Sequence, residues 1–139
     1  MKRIVWLCVA VCSASAYADW LTLTGTPGLP DSDTIQVDPL ALDAVGDQRT
    51  LRIRVNRAQA VADPDGLQYR SMMAEATVDC AKRTAGFRHK LYYAAPNLSG
   101  PPIHQRFFGP RSAPPLQFDG IAGNYPARLI NAACKIEPW

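Results

Sequence analysis

Residues 49–57 read "RTLRIRVNR", and the alternation in this stretch decides the fold class. Leu51, Ile53 and Val55 fall on one side of an extended chain, while Thr50, Arg52, Arg54 and Asn56 fall on the other, because successive side chains of a strand point to opposite faces. A strand with one apolar and one polar face belongs to an antiparallel sheet packed on a single side; strands buried on both faces read as unbroken apolar runs.

Working outward, the pattern repeats. In "YRSMMAEATVDC" (69–80) Met72, Ala74, Ala76, Val78 and Cys80 share a face, and Cys80 points inward. In "FRHKLYY" (87–93) alternation sets Phe87, His89, Leu91 and Tyr93 toward the core and Arg88, Lys90 and Tyr92 toward water. Upstream, "WLTLT" (20–24) and "TIQVDP" (34–39) are shorter strands, the second ended by Pro39, which cannot donate to a ladder. Turn chemistry separates them at "GTPGLPDSD" (25–33), "DAVGD" (43–47) and "ADPDG" (62–66).

From Ala95 to Phe118 the chain carries six of its twelve prolines. This proline-rich connection, 95–118, leaves room for at most a short strand near Ile103 to Phe108. Pro126 then suits the first turn of a helix, where its missing N–H costs nothing. The helix is expected to run from about Pro126 to Lys135, with Leu129 and Ala133 one turn apart, and Ile130 and Cys134 likewise. The fold class is therefore α+β: a mostly antiparallel β-sheet with a C-terminal α-helix.

The first residues hold Lys2 and Arg3, an apolar run from Ile4 to Val11, and small residues ending at Ala18. That order is a secretory signal peptide, residues 1–18, cleaved before Asp19 and leaving one domain over 19–139. The run is too short to span a bilayer as a helix. Cleavage removes Cys8 and Cys12, so Cys80 and Cys134 remain, and two thiols in an exported chain pair as one disulfide. Joining a buried strand position to the buried stripe of the helix would clamp the helix to one face of the sheet. It would close a loop of about 55 residues, for which chain entropy gives roughly 4 kcal/mol. Val11 before Cys12 and Leu7 before Cys8 are too large for a lipobox, so no lipid anchor is expected. The expected location is exported, either periplasmic or associated with the cell surface or outer membrane.

The mature chain carries 13 basic against 12 acidic residues. That near-neutrality excludes nucleic acid as the main partner, because such binding rests on a clustered basic surface. There is no Gly-x-Ser-x-Gly, His-Glu-x-x-His, phosphate loop or dinucleotide fingerprint, and Glu75 has no evident carboxylate partner. No enzyme activity, catalytic residue or metal site is expected. The "DSD" and "DPDG" segments have the wrong glycine and glutamate spacing for a calcium loop and read as turns. No cofactor is expected: the only histidines, His89 and His104, lack ligand-spaced partners, and a haem pocket would have to use His104 or Tyr92.

Two features suit a contact surface. Arg52, Arg54, Arg88 and Lys90 would form one basic patch if their strands are neighbours, or else a solvated face that blocks edge pairing. "HQRFFGPR" (104–111) sets Phe107 and Phe108 beside Arg106, the residue types that anchor protein interfaces, unless one ring turns inward to cover the core.

Trp20, "VDP" (37–39), "LRIRV" (51–55), "YRS" (69–71), "VDC" (78–80) and "AAC" (132–134) together resemble the surface-adhesin protein E family of Gram-negative bacteria, over nearly all of the mature chain. The resemblance implies an antiparallel sheet with a disulfide-held C-terminal helix. It also implies an outer-membrane lipoprotein that binds host extracellular-matrix and plasma proteins, with haem binding associated; the missing lipobox departs from this. The shared motifs are framework residues, so no ligand-binding residue carries over. The expectation is a non-catalytic exported binding module with a protein or glycan partner. The alternative is a soluble periplasmic accessory protein or inhibitor of a cell-wall hydrolase.

Overall fold

A computed structural model of the protein describes residues 20–38, 40 and 43–135; the expected signal peptide and its cleavage site lie outside them. In chain order the elements are β1 (Leu21–Thr24), β2 (Thr34–Val37), β3 (Asp43–Val45), β4 (Gln48–Ala62), β5 (Gln68–Asp79), β6 (Thr84–Tyr93), a 3-10 turn (Pro96–Leu98), β7 (His104–Phe107) and α1 (Tyr125–Ala133). The strands form one sheet in the order β1-β2-β4-β5-β6-β7, with β3 paired to the start of β4, and every pairing is antiparallel. The fold is thus the mostly antiparallel sheet that the alternation predicts, with the one C-terminal helix expected from Pro126 and the spacing after it.

The apolar face of the sheet is the core. Ile35, Val37, Leu51, Ile53, Val55, Met72, Ala74, Ala76 and Val78 are all buried there. Pro126 lies in the first turn of α1, and Leu129 and Ala133 from the inner stripe of the helix join this cluster. Full burial of Leu129 contributes roughly 1.5–3 kcal/mol. Cys80 follows β5, Cys134 follows α1, and the two form a disulfide with their Cα atoms 5.5 Å apart. The helix is clamped where the sequence places it.

The strand β6 departs from simple alternation. Glu75 pairs with His89 and Ala76 pairs with Phe87, so Arg88 is an extra residue that nothing on β5 opposes. Such a β-bulge moves every later side chain to the other face, because the side-chain period is two. Phe87 stays inside, but Tyr92, not Tyr93, is the second buried aromatic of the strand, and Lys90 shares its face. The inward assignment of His89, Leu91 and Tyr93 is therefore corrected: they line the opposite face.

That opposite face is covered at one end. Asn56 is buried; its amide donates to the carbonyls of Pro30 (3.1 Å) and Ser32 (2.9 Å), and its carbonyl oxygen accepts from the Asn97 N–H (2.8 Å). Ser71 Oγ donates to the Ala95 carbonyl (2.6 Å) and accepts from the Leu98 N–H (2.9 Å). These bonds hold Asn97 and Leu98 at positive φ (56° and 58°), a conformation that costs a leucine energy and persists only under such restraint. The polar side of β4 is thus partly a latch for two loops, where alternation alone assigns it to solvent.

At the edge of β6, the connection after β7 is tied to the sheet by an antiparallel bridge between Gly86 and Pro115. The Phe87 N–H donates to the Pro114 carbonyl (3.0 Å), and the Leu116 N–H donates to the Ala85 carbonyl (3.0 Å). A Cβ on Gly86 would meet the Pro114 oxygen at 3.2 Å and the Ala113 Cβ at 3.3 Å, a tight fit that a side chain there could enter only by shifting the loop.

Candidate functional site

The open part of the outer sheet face is built by register. Arg52, Glu75, His89 and Phe107 are paired in turn across β4, β5, β6 and β7 and form one row. Arg54, Met73, Leu91 and Gln105 form the next. The first row ends in Phe107, which is 72 % exposed on the edge strand and stacks on His89 with ring centroids 4.3 Å apart. His89 Nε2 is enclosed and has no hydrogen-bond partner among the described residues. The Arg54 guanidinium donates through Nε to Gln36 Oε1 (2.6 Å) and lies 4.4 Å from the centre of the Trp20 ring. Burial in this setting lowers its pKa. The face therefore combines two arginines, one of them held in place, with a carboxylate and exposed apolar surface, the mixture that suits a macromolecular contact.

The seven residues singled out as a contact surface divide between two faces. Arg52, Arg54 and Phe107 lie on the outer face just described. Strand β5 separates β4 from β6, so the condition for one basic patch is not met. Arg88 is exposed at the bulge, and Lys90 lies on the core side. Arg106, paired with Lys90, also lies on that side and is engaged by Asp63 (3.0 Å) and Asp65 (2.6 Å). Phe108 is partly buried against the core cluster, so the two phenylalanines point to opposite sides of the sheet. Of the haem candidates, Tyr92 is buried and His104 is exposed on β7, with ring centroids 6.5 Å apart.

The bulge also creates a feature that the alternation hides. On the core side a cleft of about 420 Å³ opens between the end of β4 with its turn (61–64) and the loop 114–121. Phe87, Tyr69, Tyr92, Phe118 and Ile121 line it, and Lys90 reaches into it. Lys90 Nζ sits 4.1 Å from the Phe87 ring centre and 5.9 Å from that of Phe108. Burial lowers the pKa of Lys90, and burial raises those of Tyr69 and Tyr92. Asp63 at the rim is 3 % exposed; besides Arg106 it accepts the Asp65 and Leu67 N–H groups (3.0 and 2.9 Å). Nothing in "FRHKLYY" marks the bulge, since neither glycine nor proline stands at Arg88, and the cleft was therefore not legible in the sequence.

Among the described residues there is no cluster of three or more histidine, cysteine or acidic side chains able to hold a metal. No described helix is long and apolar enough to cross a membrane. In comparison with known proteins, the family model described as Surface-adhesin protein E matches residues 20–135, most of the chain. No curated protein and no solved structure matches.

Proposed function

Because the chain belongs to the surface-adhesin protein E family, we propose that it is an exported, non-catalytic binding module that contacts a protein or glycan through the open outer face of its sheet. The observation that carries this reading is Phe107: a phenylalanine 72 % exposed, braced by a stacked histidine, at the end of a row that also presents Arg52 and Glu75. An exposed ring held rigid loses little conformational freedom on binding, which is why such residues serve as anchors. Arg52 and Glu75 supply opposite charges beside it and select a partner by electrostatic complementarity. Arg88, exposed at the bulge, adds a cation on the same edge of the sheet. Arg106 and Phe108 have structural duties in this reading: one neutralises Asp63 and Asp65, the other covers the core.

The experiment is retention of the purified mature domain on immobilised extracellular-matrix and plasma proteins and on a glycan array, with wild type, Phe107→Ala and the Arg52→Ala/Glu75→Ala pair. Retention that falls about tenfold or more in the Phe107 variant, with an unchanged melting temperature, supports the outer face as the contact surface. Retention indifferent to all three substitutions removes it. Inhibition of lysozyme by the wild type without retention on any surface would favour the periplasmic inhibitor instead.

A further inference from the structure

The half-buried Lys90 has no acceptor. Among the described residues no carboxylate lies within 4.0 Å of its ammonium, and no oxygen accepts a hydrogen bond from it. Its ammonium lies over the rings of Phe87 and Phe108, with Asp63, Asp65, Asp119 and Arg106 as its charged neighbours. An ammonium carries three donors, and taking it partly out of water without an acceptor is unfavourable. Among the described residues, the other cation at the cleft is already engaged and one carboxylate is ion-paired, while the Asp119 carboxylate has no cation within 4.0 Å. Arg57 donates to Asp33 Oδ1 (3.0 Å) and to the Asp119 carbonyl (2.7 Å), while Asp63 is held by Arg106. Lys90 is the cation left to meet a ligand.

We propose that this cleft binds a small organic monoanion, a carboxylate attached to a ring or branched apolar body, with the carboxylate on Lys90 and the apolar body against Tyr69, Phe118 and Ile121. The volume of about 420 Å³ lies within the range of small-molecule sites, which combine apolar walls with a few placed polar groups. One cation matches one negative charge. A phosphate dianion would face the carboxylates of Asp63 and Asp119 without a second free cation to offset them. Burial lowers the pKa of Lys90 by more than the nearby carboxylates of Asp63, Asp119 and Asp65 raise it, which fits a cation that a bound anion would stabilise further. This site lies on the face of the sheet opposite Phe107, and the inference does not depend on the macromolecular contact proposed above.

The test is titration of the isotope-labelled mature domain with 3-phenylpropionate and, separately, with its neutral counterpart 3-phenyl-1-propanol, followed by amide chemical shifts. Saturable shifts confined to residues around Lys90, Tyr92 and Phe118, with the alcohol about tenfold weaker or more, are expected. In Lys90→Met, which keeps the apolar stem and removes the charge, the preference for the acid should vanish while the domain remains folded. Equal binding of acid and alcohol to the wild type overturns the proposal, as does absence of saturable shifts up to about 10 mM. Undiminished acid binding by Lys90→Met overturns it too. The acid and alcohol comparison on the wild type stands whether or not the variant folds.

Discussion

His89 lies flat against Phe107, with ring centroids 4.3 Å and planes 9° apart, although alternation along its strand assigns His89 to the core. The bulge at Arg88 places it there, by turning the second half of β6 over. One inserted residue thus moves a histidine out to brace an exposed ring and moves a lysine in to meet a cleft.

The two adjacent phenylalanines should separate cleanly. Phe107→Ala is expected to change stability by no more than about 0.5 kcal/mol, as for other exposed positions. Phe108→Ala, which uncovers part of the core, should cost roughly 1–3 kcal/mol, less than a fully buried ring would. Urea unfolding of both variants decides it, and equal losses would mean the rings do not divide between the faces.

Removing the clamp should weaken the whole domain. The Cys80→Ala/Cys134→Ala double variant is expected to lose about 2–5 kcal/mol, because the unfolded chain regains the freedom of a 54-residue separation. Reductant should lower the unfolding midpoint of the wild type toward that of the variant and leave the variant unaffected. An unmoved wild-type midpoint would contradict a stabilising role for the bridge.

Asn56 ties both loops that fold over the outer face. Asn56→Ala leaves the carbonyls of Pro30 and Ser32 and the Asn97 N–H without their partner, and should cost roughly 2–3 kcal/mol. Hydrogen exchange localises the effect: the amides of Asn97 and Leu98 should lose protection first, before those of β5. Uniform loss of protection across the sheet would show that the latch is not local.

Asp33 supplies an acid-sensitive contact. Its burial alone would raise the pKa, but the Ala58 N–H and the Arg57 guanidinium, at 2.9 and 3.0 Å, hold it below the ordinary 3.8. The folded state therefore binds the proton less readily than the unfolded chain. The resulting stability is complete above 3.8 and is lost as pH falls through the folded value. The difference in urea midpoint between wild type and Asp33→Asn should accordingly shrink from neutral pH toward the acid end. A constant difference would place the effect of Asn elsewhere than in the charge.

Alternation was enough to identify β4 and β5 and their buried apolar residues, because a half-covered strand must alternate and a slip of one residue would expose its core. Pro126 and the spacing of Leu129 and Ala133 likewise marked the helix, and the two cysteines marked the clamp. These are local signals, written within one strand or one turn. The split of Phe107 from Phe108, the pairing of Arg106 with Asp63 and Asp65, and the facing of Lys90 into a cleft were settled by tertiary structure. They depend on how many residues β6 sets against β5, and that count is a property of two strands together. A strand read by itself has a period of two and no means of showing where a partner will force an extra residue out of the ladder. The side chains that β6 and β7 send to the open face and to the cleft were therefore decided only when those strands paired with β5 and with each other.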